Sequence, residues 1–421
     1  MLLVISLLNL CAWAEKAWII TDTHVDNLYK EGTANTCFTV DCCHVDSVPR
    51  KGTENKLSGR CGDLNCYLPM ATASSAFDYI YQHRSTSKTV FWMMDVVPGD
   101  VMNQSMAINE NRIKNMADEL KKRLPGFKVY PVPGNHDYFL SSEWEYPPAS
   151  DWMTAFMAEQ FKQWLSKESI ATFKKAGYYS EKLEDGVRLV ALNLVYVDAF
   201  NIYKGKYLKK DPGDMMKWFN NTLKEARKNN EKLILMSHEC PGLKESGEFD
   251  LLPEFNNDFN SLMNQYSDLV ITHLCGHSHY DSFRILPNPE NPTFHAIVNP
   301  SLTTWGNANP RFRLLEYNKN SVLNWQNYVL DINQCNSAKS GYNWVQQYDA
   351  QKKFGMTTFG TKDLQQLYNK LKTDKTAWVQ FMATYKNESK KSCKDGACRT
   401  KILCALSHLT EADFQKCIKT K

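Results

Sequence analysis

The chain has 421 residues, enough for one large domain and a smaller one, and its 43% hydrophobic and 23% charged residues are those of a packed globular protein. Its 50 basic and 46 acidic residues leave a formal charge of +4, with no basic stripe interleaved with aromatics, which argues against a nucleic-acid partner. Residues 2–10 are almost wholly apolar and precede Ala12-Trp13-Ala14. This reads as a signal peptide over residues 1–14, since the run is too short to span a bilayer; a buried first strand is the other reading. No later stretch is long and apolar enough for a membrane span, so a mature protein without membrane insertion is expected.

Five short apolar, β-rich runs then end in metal-binding side chains. Trp18-Ile19-Ile20 leads to Asp22-Thr23-His24, and a Cys- and Gly-rich loop follows over about 26–69. A helix is expected over 71–84, and the strand from Val90 runs to Asp95. Ile113, Met116, Leu120 and Leu124 recur at helical spacing and stop at Pro125-Gly126. The strand from Val129 reaches Gly134-Asn135-His136-Asp137, followed by a loop whose Tyr138, Trp144 and Tyr146 form either an aromatic wall for a base or choline head group or a plain surface. A helix over 151–166, a strand over 187–197 and a helix over 214–230 precede the Leu233 strand, which ends at Ser237-His238. Leu269-Val270-Ile271 leads to Gly276-His277-Ser278-His279. Strands separated by helices indicate an α/β fold, and if the five are neighbours in one sheet their carboxyl ends gather at one edge. Past about 333 the pattern turns to polar helical segments, giving a catalytic domain over 15–332 and a helical disulfide-bonded subdomain over 333–421.

Removal of Cys11 with the signal leaves twelve of thirteen cysteines, clustered at both ends of the chain, as an oxidising, extracellular or lysosome-like compartment permits. Asn103, Asn220 and Asn387 open glycosylation sequons. Cys240 and Cys275 read as packing residues or a disulfide. His44, His83, His273, His295 and His408 read as hydrogen-bonded structural residues, and Asp137 as an orienting group.

Residues two apart at an extended strand end face one way, so Asp22 with His24, and His277 with His279, are expected to converge in pairs. Carboxylate, amide and imidazole together suit zinc or manganese, iron less well. Asp95 is expected to bridge two ions, which would lower the pKa of a shared water, yielding a hydroxide for in-line attack, and neutralise phosphoryl oxygens. His136 diverges from Asn135 and is better placed to contact the phosphate or protonate the leaving oxygen.

The order Asp-x-His, Asp, Gly-Asn-His-Asp, His, Gly-His-x-His resembles the calcineurin-like metallophosphoesterases. Within them, Gly134 to Tyr138, Gly276 to Phe283, Asn299 to Trp305 with Asn309 to Phe312, and Cys393 to Cys417 are similar to the acid sphingomyelinase-like phosphodiesterases lacking a saposin module. The resemblance implies a β-sandwich flanked by helices (αββα) and two zinc ions. Asp22, His24, Asp95 and His279 would hold one; Asp95, Asn135, His238 and His277 would hold the other, with His136 catalytic at the phosphate. It also implies Cys393–Cys398 and Cys404–Cys417 bridges. Two departures stand out: Met94 replaces the usual Gly before Asp95, and Gly99 stands where the family often has a phosphate-contacting His. No saposin-like segment lies between the signal and Asp22. The expected function is a secreted, monomeric di-zinc phosphodiesterase acting on nucleotides or small phosphodiesters such as ATP or CDP-choline, with His136 and Tyr138 at the substrate. The alternatives are a sphingomyelin phosphodiesterase or a metal-retaining, weakly active phosphate-binding protein.

Overall fold

The computed structural model describes residues 14–39, 41–99, 104–184, 186–207, 210–244, 246–338, 341–385, 393 and 396–419. The signal peptide up to residue 13 and the sequons at Asn103 and Asn387 lie outside them; Asn220 is half-buried in a helix. The first half of the chain forms β1 (Glu15–Thr21), α1 (Met70–Gln82), β2 (Thr89–Met93), α2 (Met106–Arg123), β3 (Lys128–Pro131), α3 (Asp151–Phe161) and α4 (Lys167–Ala176). It continues with β4 (Tyr179–Lys182), β5 (Val187–Ala191), α5 (Met215–Lys228), β6 (Lys232–Met236), α6 (Pro253–Tyr266) and β7 (Val270–Cys275). Then come β8 (Ser282–Leu286), β9 (Phe294–Val298), β10 (Arg311–Tyr317), β11 (Val322–Val329), α7 (Ile332–Ser337) and β12 (Val345–Asp349). The chain closes with α8 (Ala350–Phe354), α9 (Thr361–Thr373), α10 (Lys375–Tyr385), α11 (Gly396–Ala405) and α12 (Glu411–Lys419).

Among the described residues the strands make two six-stranded mixed sheets, ordered β12-β11-β10-β1-β2-β3 and β4-β5-β6-β7-β9-β8. The five ligand-bearing strands are divided between the sheets: the first three lie side by side in the first sheet, and β6 and β7 pair in the second. The sandwich implied by the family resemblance is what forms. Helices cover the sheets: Trp92 of β2 meets Phe161 of α3, and Tyr79 of α1 meets Phe312 of β10. On the second sheet Phe259 of α6 packs between Phe219 of α5 and Phe294 of β9. Both faces of β5, β8 and β9 are covered, so all their residues are buried.

The expected strand over 187–197 stops at Ala191, and a 3₁₀ turn at Leu194–Val197 completes it. The expected helix over 151–166 ends at Phe161, and a second helix, α4, begins after a Ser166 side-chain cap on the Ser169 amide. In the tail, the Ile285 amide of β8 donates to the Leu406 carbonyl and the Asp281 amide to that of Tyr385. The helical tail thus covers the β8 edge and reaches the segment beside His279.

Twelve cysteines form six disulfides, including both tail bridges implied by the resemblance and a Cys240–Cys275 bond joining the ends of β6 and β7.

Candidate metal centre

The ends of β1, β2, β3, β6 and β7 meet across the two sheets and bring all seven candidate ligands together. The donor atoms of Asp22, His24 and His279 lie within 4.8 Å of one another, as do those of Asp22, Asp95 and His238. Asp22 belongs to both groups, and Asp95 Oδ2 reaches a histidine of each, 3.1 Å from His24 Nε2 and 3.3 Å from His238 Nε2. His279 Nε2 is 3.2 Å from Asp22 Oδ1, whereas His277 turns away to Asn135, its Nδ1 lying 3.0 Å from the amide oxygen. His277 and His279 therefore face two points, not one as strand alternation predicts.

The reason is backbone conformation. Asp22, His24, Asp95, His277 and His279 all have positive φ, between 36° and 64°. Left-handed backbone is costly for residues with a Cβ and persists where surrounding contacts over-determine it. Here the Asp22 and His24 amides donate to the Met94 and Asp95 carbonyls, and the His277 amide donates to the Asp22 carboxylate. Asp137 is the hub for the middle segment: its carboxylate accepts from the amides of Asp95, Val96 and Gly134. The imidazole Nδ1 groups of His24 and His238 donate to the Val97 and Met93 carbonyls, leaving each Nε2 facing Asp95. Behind His279, Asp281 is held by Arg313, Asn327 and Tyr348.

Gly134 and Gly276 are needed for close approach. A Cβ on Gly276 would lie 2.1 Å from Thr21 Oγ1, and one on Gly134 would lie 2.6 Å from Asp95 Oδ1 and 2.8 Å from its Cα. Because the latter contact includes backbone, Gly134→Ala is expected to displace Asp95 and cost about 1–3 kcal/mol. Urea unfolding with metal analysis checks this; unchanged stability and metal content would contradict it.

Burial opposes ionisation of Asp95, but the charges of His136, His24 and His238 outweigh it and hold the carboxyl well below the usual range. Burial likewise disfavours the imidazolium of His238, yet Asp95 and Asp22 raise it well above the ordinary value. In His136 burial wins and the ring is pushed down to about 4. Burial raises Asp137 to about 6, with Asp95 adding to the shift. This is a dense set of potential metal donors, and His136 Nδ1, His238 Nε2 and His277 Nε2 are buried without a hydrogen-bond partner.

The aromatic wall is corrected. Tyr138 is buried, stacked on Trp144 and tilted against Trp152, and its hydroxyl donates to Glu145, so the ring belongs to the core and not to an open substrate surface. The aromatic pair at the site is instead Tyr67 with Trp305, stacked at 4.5 Å with Tyr67 5.9 Å from the His24 ring. Tyr67 sits in the long Cys-rich loop, where no periodicity marks it, and Trp305 closes the Asn299 to Trp305 motif with no signal of its own. Gly99 makes room for this arrangement, since a Cβ there would lie 2.7 Å from the Tyr67 hydroxyl and 3.0 Å from His136. Glu239, beside His238 and fully buried, was also missed. The histidines outside the centre have protein partners: His44 Asp26, His83 the Tyr79 carbonyl, His273 Ser237, His295 Thr361, and His408 the Cys404 carbonyl.

Two donor clusters sharing a carboxylate at the carboxyl ends of strands are the arrangement used by dimetal phosphoesterases. The profile of the calcineurin-like phosphoesterases matches residues 16–281, and the chain belongs to that family, which uses a dimetal centre. The profile of the acid sphingomyelin phosphodiesterase C-terminal region matches residues 292–421, so the protein is a phosphodiester hydrolase of the acid sphingomyelinase-like branch. It is 28% identical over 405 residues to sphingomyelin phosphodiesterase A of Dictyostelium discoideum, covering 94% of this chain and 67% of that protein. It is 27% identical over 425 residues to the cyclic GMP-AMP phosphodiesterase SMPDL3A of Rattus norvegicus, covering 96% and 91%. A dimetal phosphatase structure from Danio rerio superimposes with a TM-score of 0.47 at 10% identity, over 79% of this chain and 99% of that one.

Proposed function

We propose that this protein is a secreted phosphodiesterase that hydrolyses nucleotides or small phosphodiesters with two zinc or manganese ions. Asp22, His24, Asp95 and His279 would hold one ion, and Asp95, Asn135, His238 and His277 the other. The buried imidazole nitrogens without partners around Asp95 support this most directly, because cations satisfy them. When bound, the ions supply an activated water and neutralise charge on the phosphoryl oxygens. The chain's own residues do the rest. Asp137 fixes Asp95 through three backbone amides. His136, with its backbone amide bonded to Asp95 and its ring 4.9 Å from that of His24, is the residue to donate to a phosphate or leaving-group oxygen. Six disulfides agree with a secreted or lysosome-like location. Among the described residues no helix is long and apolar enough to cross a membrane.

The nucleotide preference rests on the Tyr67–Trp305 stack, in which Tyr67 lies 5.9 Å from the His24 ring and the partly exposed Trp305 offers a face on which a base can stack. The SMPDL3A relative, named for a cyclic dinucleotide, supports it as well. Sphingomyelin is the second reading, carried by the relatives named for it. Metal-loaded protein should cleave ATP or a CDP-alcohol in preference to sphingomyelin micelles, and preference for the micelles would sink the nucleotide reading. Trp305→Ala should raise KM for the nucleotide about tenfold, as loss of one base stack implies; an unchanged KM removes Trp305 from the substrate surface.

A further inference from the structure

Glu239 is a buried carboxylate for which the ligand set above has no use. It is fully buried, and neither of its carboxylate oxygens has a hydrogen-bond partner. One of them lies within 4.8 Å of ring nitrogens of both His238 and His277, which are themselves that close to each other. Adjacent side chains normally diverge, but here the Ser237 hydroxyl donates to the Glu239 carbonyl at 2.5 Å, turning the chain so that both residues reach the centre. The Cys240–Cys275 bond ties this turn to the end of β7. Cationic side chains close by are directed elsewhere: Arg284 Nη2 donates to Asp250 at 2.7 Å, and Lys244 Nζ lies 3.7 Å from the same carboxylate. Asp250 has these counter-charges and also stands 3.5 Å from His277 Nε2, whereas Glu239, with the Asp198 and Asp250 carboxylates in its surroundings, has among the described residues only the two imidazoles close to its oxygens. A carboxyl so enclosed stays ionised only where a cation meets it.

Resting on the dimetal reading, we infer that Glu239 is a further metal ligand, supplying an oxygen donor to the cation held by Asn135, His238 and His277. That position would then draw oxygens from Asp95, Asn135 and Glu239 besides its two imidazoles, beyond the tetrahedral number zinc favours at structural sites. An oxygen-richer, higher-coordinate set shifts preference toward manganese relative to the position at Asp22, His24 and His279.

The test is metal binding by the full-length protein and its Glu239→Gln variant, read by calorimetric titration with Mn²⁺ and Zn²⁺ and by metal content after dialysis. The wild type should take up two equivalents. Glu239→Gln should keep one, with Mn²⁺ affinity at the other reduced about tenfold or more and Zn²⁺ affinity reduced less. Two equivalents with both affinities within twofold of wild type would overturn the inference. Should Glu239→Gln not fold, Glu239→Asp, which withdraws the carboxylate by one methylene, should weaken Mn²⁺ in the same direction; unchanged affinity again overturns it. Asp95→Ala separates the two levels. If it strips metal while Glu239→Gln does not, only the role of Glu239 fails; if it strips none, the dimetal reading fails.

Discussion

Asp95→Ala should lose metal and about a thousandfold or more in hydrolysis of bis(p-nitrophenyl) phosphate. Its Oδ2 stands 3.1 Å and 3.3 Å from imidazole nitrogens of the two clusters, so its removal weakens both ion positions at once. Ions at a phosphoryl group stabilise the transition state by several kcal/mol, and about 1.4 kcal/mol corresponds to each tenfold. Because the imidazoles around Asp95 hold its carboxyl below the usual range, the change also loses those pairings and the bond from the His136 amide, so the metal-free variant should melt below wild type and the rates are compared at a temperature where it is folded. His136→Gln supplies the contrast. It should retain both ions and lose only about a hundredfold in kcat, the usual contribution of one positioned proton donor. Equal, background rates for wild type and Asp95→Ala would support the phosphate-binding alternative motivated by Met94 and Gly99.

Paired replacement of Cys61 and Cys335 by Ser should cost about 4 kcal/mol of stability. The bond closes a sequence separation of 274 residues, and cross-links over long loops restrict the unfolded chain most. It also anchors the long Cys-rich loop to α7, where Asn336 accepts from the Cys61 amide and donates to the Gly62 carbonyl. That loop carries Tyr67, and the Thr304 hydroxyl donates to the Cys66 carbonyl beside it, so the same change should loosen the Tyr67–Trp305 stack. Denaturant unfolding with the remaining disulfides intact, and KM for a nucleotide substrate, would report both effects. A loss below about 1 kcal/mol would mean that the loop is held by its hydrogen bonds alone.

The ligand segments were legible because each ends a short buried strand with residues that are expensive to bury unpaired; Asp95 and His238 needed no structure to be singled out. The sheet assignment was not legible. Runs such as Leu233-Ile234-Leu235-Met236 are apolar on both faces and so carry no mark of which sheet they join. Strands β8 to β11 lie among turns and polar residues that mask their period, with Arg311 and Arg313 buried inside β10 through Thr384, Asn327, Asn299 and Asp281. Convergence of the ligands was anticipated for the wrong reason: alternation along extended strands predicts pairs, while left-handed backbone at five ligand positions actually aims them. Tyr138 misled because an aromatic after a ligand motif looks like a substrate contact, and only its packing with Trp144 and Trp152 shows it to be core. Glu239 carries no sequence signal of its own, and only the structure shows it buried near His238 and His277.

The central claim is that this chain builds a two-ion centre around Asp95. Anomalous diffraction from crystals grown with zinc or manganese tests it most directly. Two peaks sharing Asp95, one toward Asp22, His24 and His279 and one toward Asn135, His238 and His277, are predicted. A single peak, or peaks away from Asp95, would contradict the account.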